Sequence, residues 1–422
     1  MTDNTGVQVV RIPALLDSKL WHYRGEGNAN IVLSYAGMHS NFRPIVLRLR
    51  KVMLDKASTP VELDVMYARD VISPLLGSQY VAPVVLLAMN REFLMEIADR
   101  IREQRPEKRR HSDIDTDQHA AIVSADLMYP PTYRATDENV KPEMLIQVEI
   151  KPKYAVAPGG SGPQPCRSCL MQYYKSNSNI QPKTCMLGLY SDDNTVIQKT
   201  VSGLLSNPQK YMSIRVNNEH FDQANSIQQG QLAKYFGVSS NNVEDQLSSV
   251  ITNCVIQSNI MHKLKAVQHH LLPLGYAGLE AAVNSQCPPP HLQQPSISDY
   301  IAAITASTPT ESPLTAEQLQ VAVNQFLVYH TVKDCSVLLT VSSINNSTES
   351  DIASAATVHN ELDALWQNSE PFDGKWDYDA SARVVDLDIK PISRLQKYFD
   401  TERATKIHYA NTGATFTCIN NT

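Results

Sequence analysis

Residues 146–154 read IQVEIKPKY, and this stretch decides how the chain is interpreted. Side chains of a strand alternate between its two faces, so Glu149, Lys151 and Lys153 would point one way and the apolar residues between them the other. Pro152 cannot donate a hydrogen bond to a neighbouring strand, so regular pairing should end there. The stretch predicts a strand end that presents one carboxylate and two ammonium groups; an exposed edge strand protected by lysines is the alternative.

The same pattern recurs late in the chain, where residues 387–392 read LDIKPI. If the strand continues to this point, Asp386, Asp388 and Lys390 share one face. Two carboxylates two residues apart can converge on a hard cation such as Mg²⁺, whereas a solvated strand face is the alternative. Two acid-Ile-Lys-Pro corners are therefore candidates for a single site.

A helix is predicted to begin at Pro391, because proline suits the first helical turn. Lys390, Arg394 and Tyr398 repeat every four residues and would form a ridge of hydrogen-bond donors along one side of that helix. Together with the lysines of the first corner, such a ridge suits a ligand with several phosphates. A solvated basic helix face is the alternative.

A glycine-rich turn, RGEGNAN at residues 24–30, lies between two predicted strands. Gly25 and Gly27 would let backbone N–H groups approach phosphates closely. The turn is not a Walker A loop and lacks a complete G-x-G-x-x-G, so an ordinary hairpin turn is the alternative. Arg48 on the following strand adds a cation of the kind that kinase-type folds use to hold nucleotide phosphates.

Asp334, in VKDCSVLLTV at residues 332–341, comes just before a strongly apolar predicted strand, where a carboxylate would be partly buried. Its functional interpretation is a general base, or a carboxylate that orients a hydroxyl for phosphoryl transfer. A helix cap or a turn residue is the alternative.

The cysteine content argues against a metal. Seven scattered cysteines suit reduced thiols in a reducing compartment. Cys166 and Cys169 have the C-x₂-C spacing of zinc sites, but no second C-x₂-C pair follows, and Cys287 with His291 is a looser set. We therefore expect no structural zinc.

Composition excludes several classes of protein. The chain has 422 residues, of which 42% are hydrophobic and 19% charged, and these are globular values. A net charge of -6 argues against a protein that coats nucleic acid. Neither a membrane-spanning run nor a signal-peptide pattern is present. We expect a soluble nuclear or cytoplasmic monomer without nucleic-acid or membrane partners.

The order of predicted elements indicates an α+β protein of two unequal lobes. The expected boundaries are a smaller lobe at residues 1–123, a Pro-rich linker at 124–142 and a larger lobe at 143–422. Residues 286–314 and 342–358 have the composition of surface insertions.

Taken together, these motifs resemble the inositol-pentakisphosphate 2-kinase family. The resemblance runs in order through nearly the whole chain and is carried by YRGEGNANIVLSYAG, VLRLRK, YARDVISPLLG, REFL, QRPEKR, VEIKPK, CRSCLMQYYK, NPQ, KDCSVLLT and DLDIKPISRLQKYF. It implies a two-lobed fold distantly related to protein kinases, with an inositide-binding region in the larger lobe. The implied reaction is direct in-line transfer from ATP, with Mg²⁺, to the axial 2-hydroxyl of inositol 1,3,4,5,6-pentakisphosphate, giving the hexakisphosphate. A catalytically inactive inositol-phosphate-binding pseudokinase is the alternative.

The resemblance also assigns roles to residues of this chain. Asp334 and Lys151 would act in catalysis, and Asp386 with Asp388 would hold Mg²⁺. The implied ATP-binding residues are Gly25, Glu26, Gly27, Asn30, Arg48, Ser124, Asp126 and Glu149. The implied inositide-binding residues are Arg109, Lys151, Lys153, Lys175, Lys210, Lys390, Arg394 and Tyr398.

The chain departs from the family pattern after NPQ at residues 207–209. Lys210 stands where relatives have an asparagine, and the nucleotide-contacting arginine of relatives falls on Ser213, or on Arg215 if the register shifts by two. Plant members resemble zinc proteins with a Cys/His cluster in the larger lobe. Only Cys287 and His291 remain near that position, which puts zinc in doubt.

Overall fold

The computed structural model describes residues 7, 9–37, 44–52, 60–129, 144–156, 165–176, 182–208, 210–285, 292–307, 313–343, 378–413 and 418. Within these ranges the chain forms two β-sheets accompanied by helices, which confirms the α+β class. No helix in the described ranges combines the length and apolarity needed to cross a bilayer.

The first sheet has the strand order β1-β5-β6-β4-β3-β2. Its strands are β1 (Val9–Val10), β2 (Trp21–Glu26), β3 (Asn30–Tyr35), β4 (Ile45–Arg50), β5 (Val84–Ala88) and β6 (Ala120–Ala125). Ile31 and Leu33 alternate inward, and helix α3 (Arg91–Ile101) covers the same core with its apolar stripe. The Asn90 side chain accepts from the Phe93 amide at 2.7 Å and so caps that helix.

The second sheet brings the two acid-Ile-Lys-Pro corners together. Its strands are β7 (Leu145–Ile150), β8 (Met212–Val216), β9 (Glu219–His220), β10 (Ser336–Ser343) and β11 (Tyr378–Val385), in the order β11-β10-β7-β8-β9. β10 is antiparallel to both neighbours, and Val337 lies opposite Ile150 on one side and Val384 on the other. The C-terminal ends of β7 and β11 therefore flank the start of β10.

Nine further helices of the described chain accompany the second sheet. They are α4 (Arg167–Lys175), α5 (Asn194–Ser206), α6 (Ser226–Phe236), α7 (Val243–Ser258), α8 (Ile260–Leu271), α9 (Gly275–Asn284), α10 (Ile297–Thr305), α11 (Ala316–Asp334) and α12 (Leu395–Asn411). The prediction of a surface insertion at 286–314 is wrong for α10, because its Tyr300 and Ala303 side chains are buried in the core. Residues 286–291, 308–312 and 344–358 lie outside the described residues.

The helical segment between residues 61 and 76 is interrupted. It consists of α1 (Val61–Met66), a π-helical turn (Tyr67–Ile72) and α2 (Ser73–Leu76). Tyr67 in the π-helical turn is fully buried and donates to Thr331 Oγ1 at 3.2 Å. The Thr331 hydroxyl donates in turn to the backbone carbonyl of Asp388 at 3.0 Å, so this turn is joined through α11 to the second corner.

Two details of the corners differ from the sequence-based expectation. β11 ends at Val385, and Asp386 has a left-handed backbone with φ of 64°. Asp386, Asp388 and Lys390 therefore do not share a strand face, because the left-handed residue breaks the alternation.

The ridge predicted along a helix starting at Pro391 is also wrong. A 3₁₀ turn (Ile392–Arg394) follows the proline, and α12 begins only at Leu395. Lys390 precedes both elements, because the residue before a proline is disfavoured in helical conformation. Arg394 and Tyr398 keep their helical spacing without it.

Replacing Thr331 with valine tests the buried connection between the π-helical turn and the second corner. The change removes one hydroxyl but leaves the Tyr67 hydroxyl and the Asp388 carbonyl without that partner, so we expect the free energy of unfolding to fall by about 1–3 kcal/mol. Urea denaturation measures this. Thr305→Val, at an exposed position of α10, is the matched control and should stay within about 0.5 kcal/mol of wild type. Equal losses in the two variants would contradict the prediction.

Candidate active site

Carboxylates from the two corners share one buried hydroxyl. The Ser336 Oγ atom lies 2.8 Å from Glu149 Oε1 and 3.2 Å from Asp386 Oδ2. Lys151 Nζ lies 3.2 Å from the same Glu149 oxygen. The geometry thus places Glu149, Asp386 and Lys151 together at the start of β10. Asp388, the acid that corresponds to Glu149 in the repeated motif, pairs with Arg48 instead.

Asp334 ends α11 and lies between two lysines. Its Oδ1 atom is 2.9 Å from Lys333 Nζ and 3.4 Å from Lys153 Nζ. Burial alone would raise the pKa of Asp334, but the two ammonium groups outweigh it and hold the pKa well below its usual range. The side chain is therefore an ionised carboxylate at neutral pH, able to accept a hydrogen bond from a substrate hydroxyl.

The backbone at Lys153 is held in a strained conformation. Its φ of 60° is unusual for a residue other than glycine. The Lys153 carbonyl accepts from Gln268 Nε2 at 3.0 Å and from the Tyr190 hydroxyl at 3.2 Å. Gln268 is completely buried and also accepts from the Ala155 amide at 3.0 Å. Helix α8 therefore fixes the turn that aims the second lysine at Asp334.

Arg48 connects the glycine-rich turn to the second corner. Its Nη2 atom donates to Asp388 Oδ1 at 2.9 Å and lies 3.2 Å from the oxygen of the Asn30 amide. Burial would raise the pKa of Asp388, but Arg48 and then Lys390 lower it. Because this carboxylate is already ion-paired, Asp386 is the more accessible of the two predicted metal ligands.

Glu26, predicted to bind ATP, and Arg109, predicted to bind the inositide, both stabilise the glycine-rich turn in this structure. The Glu26 carboxylate is buried and pairs with Lys51 Nζ at 2.5 Å and with Arg105 at 3.0 Å. Arg109 Nη1 donates to Asn28 Oδ1 at 2.7 Å and to the Gly27 carbonyl at 3.3 Å. The side chains of Glu26 and Arg109 thus hold the turn in place, and their contacts with ATP and inositide stay predictions.

Ser124 and Asp126, two of the predicted ATP-binding residues, lie at the end of β6 and directly after it. Ser124 is buried in that strand and pairs with Val46 and Val84. The Asp126 side chain forms an ion pair with Arg24 and accepts from the Met128 amide at 3.1 Å. The Asp126 carboxylate therefore stabilises the segment itself.

A cationic cleft lies beside Asp334 and is formed mainly by α4, α11 and α12. It contains four of the predicted inositide-binding residues, namely Lys153, Lys175, Arg394 and Tyr398. The other predicted ones, Arg109, Lys151, Lys210 and Lys390, are not in its lining. Lys210 is exposed near the start of β8, whereas the Lys390 ammonium is near enough to Asp388 to lower its pKa.

Three cations of this cleft were missed from the sequence: Arg167, Lys333 and Lys397. Arg167 is buried, stacks over the Tyr276 ring at 3.4 Å and pairs with Glu402 at 2.5 Å. Lys397 lies three residues after Arg394, so helical spacing could have identified it. For Arg167 the sequence carries no signal beyond its place inside the C-x₂-C motif.

The floor of the cleft contains a buried histidine. His330 stacks on Tyr398 with ring centroids 3.6 Å apart, and its Nε2 lies 2.9 Å from the Tyr276 hydroxyl. Burial, followed by the charge of Lys333, lowers the pKa of His330 well below its ordinary value. The ring is therefore neutral at physiological pH and fixes the orientation of the Tyr398 ring.

The departure after NPQ can be placed on β8. Ser213 is paired with Glu149, so it lies beside the first corner. Arg215 is paired with Gln147, farther from the strand end, and donates to the Asn218 carbonyl at 3.2 Å. Of the two, Ser213 has the position next to the site, although it carries no charge. Cys287 and His291 lie outside the described residues.

Comparison with known proteins connects this geometry to a family. The family model described as inositol-pentakisphosphate 2-kinase matches residues 23–404, which include both corners, the glycine-rich turn and Asp334. The chain belongs to the inositol-pentakisphosphate 2-kinase family. The sequence resemblance is thereby confirmed.

Individual members of the inositol-pentakisphosphate 2-kinase family are distant in sequence, and the two plant relatives match nearly the whole chain. The chain is 25% identical to an inositol-pentakisphosphate 2-kinase of Oryza sativa subsp. indica, over 94% of this chain and 95% of that protein. It is 23% identical to one of Arabidopsis thaliana, over 92% of each. Similarity to one of Danio rerio reaches 29% identity over 47% of this chain and 43% of that protein.

The neutral His330 predicts a pH-dependent stability. In the unfolded chain this histidine takes up a proton as the pH falls through about 6.5, whereas its depressed pKa prevents uptake in the folded state. The unfolded state then binds more protons, so the free energy of unfolding falls by up to about 1.4 kcal/mol per pH unit below that point. His330→Phe should remove this component, and between pH 7 and pH 5.5 the wild type should lose about 1 kcal/mol more than the variant.

Urea denaturation across this pH range measures the two slopes. His269→Phe changes an exposed histidine at the end of α8 and should keep the wild-type slope. Parallel pH profiles for wild type and His330→Phe would contradict a neutral buried imidazole.

Proposed function

We propose that this chain transfers the terminal phosphate of ATP directly to the axial 2-hydroxyl of inositol 1,3,4,5,6-pentakisphosphate, giving the hexakisphosphate. Membership of the kinase family supports the reaction class. The observation that carries the assignment of roles is that Asp334, an ionised carboxylate, lies in the wall of the cationic cleft and two residues before the hydroxyl shared by Glu149 and Asp386. A polyanion in the cleft and a nucleotide at the corners would meet at Asp334.

In this proposal the protein contributes positioning and charge rather than a covalent intermediate. Phosphoryl transfer has a loose transition state, so alignment of the hydroxyl and neutralisation of the phosphate oxygens supply most of the rate enhancement. Asp334 would accept the hydrogen bond of the attacking hydroxyl and receive its proton as the new bond forms. Its low pKa suits orientation of the hydroxyl, because the carboxylate is ionised until it receives that proton.

Cations on the two sides of Asp334 would bind different phosphates, those of ATP on one side and those of the inositide on the other. Lys151, held at the first corner by Glu149, would contact the phosphate being transferred, while Lys153 pairs with Asp334 and lines the cleft with it. The inositide phosphates would be bound by the residues that line the cleft, including the newly identified Arg167 and Lys397.

The carboxylates of the corners fit a magnesium ion. Glu149 and Asp386 direct oxygens at the same serine hydroxyl, and Mg²⁺ prefers such hard ligands. When bound, the ion would neutralise charge on the ATP phosphates. The sequence resemblance assigned Asp388 to Mg²⁺. In the proposal Asp388 would instead hold Arg48 against the phosphates through their ion pair.

We also propose that the two sheets correspond to the lobes of a distant protein-kinase-like fold, divided at residues 1–123, 124–142 and 143–422. Separate hydrophobic cores under the two sheets support two lobes, although the segment that contains Tyr67, Val71 and Ile72, within residues 1–123, packs into the core of the second sheet. Residues 130–142 of the linker lie outside the described residues. The proposal includes a monomer in the nucleus or cytoplasm without nucleic-acid or membrane partners, and the net charge of -6 argues against nucleic acid as a partner.

A catalytically inactive inositide-binding protein is less well supported. Asp334 and Asp386 are both present; Asp334 pairs with Lys153, and Asp386 shares the Ser336 hydroxyl with Glu149, which pairs with Lys151. The relatives named above are kinases by name.

Asp334→Asn separates catalysis from binding. The amide keeps the shape of the side chain but cannot receive the hydroxyl proton, so turnover should fall by about 10²- to 10⁴-fold. Calorimetric affinity for inositol pentakisphosphate should change much less. Asp192→Asn, at an exposed position before α5, is the matched control. If wild type binds the inositide but turns nothing over, the inactive alternative is correct.

Lys151→Ala tests the first corner. We expect most turnover to be lost while the melting temperature stays within a degree or two of wild type, because this half-exposed side chain faces the site rather than the core. Lys199→Ala, on the exposed side of α5, should leave both properties unchanged. Full activity in the Lys151 variant would remove that residue from the mechanism.

A further inference from the structure

Two arginines on one face of β4 are each paired with a carboxylate from another part of the chain. Arg48 and Arg50 are two residues apart in this strand, so their side chains point the same way. Arg48 pairs with Asp388 of the second corner. The Arg50 guanidinium pairs with Asp64 of α1, and these two side chains are only 12% and 11% exposed. No step of the proposed reaction uses the Arg50–Asp64 pair.

The two ion pairs form one cluster of four charges. Burial raises the pKa of Asp64, Arg50 opposes this shift, and the Asp388 carboxylate adds to it. The pKa of Asp388 is lowered by Arg48, then by Lys390 and then by Arg50. Charges shift each other's pKa in this way when they are close together. A change at Asp64 is therefore felt at the second corner.

Asp64 lies in a helical segment that contacts both hydrophobic cores. The next residue, Val65, belongs to an apolar cluster with residues of β5 and β6 in the first sheet. Tyr67 is buried in the core of the second sheet and donates to Thr331, whose hydroxyl donates to the Asp388 carbonyl. Buried contacts therefore fix Asp64 relative to the second corner.

Arg50, the other member of the pair, is connected to the glycine-rich turn. It lies opposite Asn30 in the pairing of β3 with β4. The amide of the following residue, Lys51, donates to the Ala29 carbonyl at 2.9 Å. The Arg50–Asp64 pair thus joins the strand end next to the turn to a helix that is anchored at the second corner.

We propose that Asp64 is a positioning residue for ATP, which acts through Arg50 to hold the glycine-rich turn and Arg48 at a fixed distance from the corners. This role rests on the proposed function, in which Arg48 contacts the ATP phosphates. A phosphate oxygen bound to Arg48 would compete with Asp388, and that pair is the more accessible one, with side chains 23% and 32% exposed. The buried Arg50–Asp64 pair would keep the turn in place while the nucleotide binds.

A double variant tests this role without leaving a buried charge unpaired. Arg50→Met combined with Asp64→Leu replaces the ion pair by apolar side chains, an exchange that is often neutral for folding. The urea midpoint should therefore stay near that of wild type. Calorimetric affinity for the Mg²⁺ complex of a non-hydrolysable ATP analogue should fall about tenfold, because a misplaced Arg48 loses a charge-assisted hydrogen bond.

Turnover and inositide binding separate this role from general damage. With both substrates saturating, turnover of the double variant should fall about 10- to 100-fold, because the transferred phosphate is no longer aligned. Affinity for inositol pentakisphosphate should change little, since the cationic cleft is formed mainly by α4, α11 and α12.

Single variants supply the controls. Asp64→Glu keeps the carboxylate and should retain most of the nucleotide affinity that the double variant loses. Asp70→Asn is the matched control, because it removes a carboxylate from the same helical segment that pairs with Arg69 at the surface. It should keep the wild-type nucleotide affinity and turnover.

Three results would overturn the positioning role. The first is wild-type nucleotide affinity in the double variant. The second is an equal loss of affinity for both ligands together with a lower urea midpoint, which a purely structural ion pair would give. The third is tighter nucleotide binding by Asp64→Asn, because Arg50 would then be a phosphate ligand that Asp64 restrains.

Failure of the proposed function has a different signature. Wild type would then bind the ATP analogue, and the variants would keep the expected order of nucleotide affinities, but no phosphate would reach the inositide. Wild type without affinity for the ATP analogue would overturn both proposals.

Discussion

The pairing of β10 with β7 on one side and β11 on the other is the constraint on which the site depends. Val337 has Ile150 and Val384 as its two partners, and this register fixes where each outer strand ends. A shift of one residue in either pairing would turn the acid of that corner to the opposite face of the sheet. The Ser336 hydroxyl, positioned by the same register, can contact both acids only in this arrangement.

The charges around Asp334 are stabilised as a group. Lys333 is almost fully buried, with 5% of its surface exposed, yet its pKa is raised because Tyr154 and Asp334 outweigh the cost of burial. Removing the carboxylate would leave a buried ammonium without its ion partner, which is far more costly than losing an exposed pair. The left-handed backbone at Lys153 and at Asp386 costs about 1–3 kcal/mol of folding free energy at each position. Such arrangements persist only where the surrounding structure holds them.

Much of this site could be predicted from the sequence because its signals are local. The repeated corner, the apolar strand after Asp334 and the glycine-rich turn each occupy fewer than ten consecutive residues, and alternation indicates the strands directly. The left-handed backbone at Asp386 could not be predicted, since nothing distinguishes this aspartate from one in a regular strand. The place of Arg167 in the cleft depends on its ion pair with Glu402, and Cys166 donates its amide to Cys418 Sγ, 252 positions away in the sequence. No short pattern encodes contacts of such separation.

The same sheet order has a consequence for biosynthesis. β7 is complete by residue 150, but its neighbour β10 begins at residue 336 and β11 at residue 378. During translation one edge of β7 has no native partner until most of the polypeptide has left the ribosome, and contacts of such sequence separation form slowly. An exposed, apolar strand edge favours association with other chains during this interval. The candidate active site at the start of β10 is therefore among the last parts of the nascent protein to form, and truncated translation products would lack it.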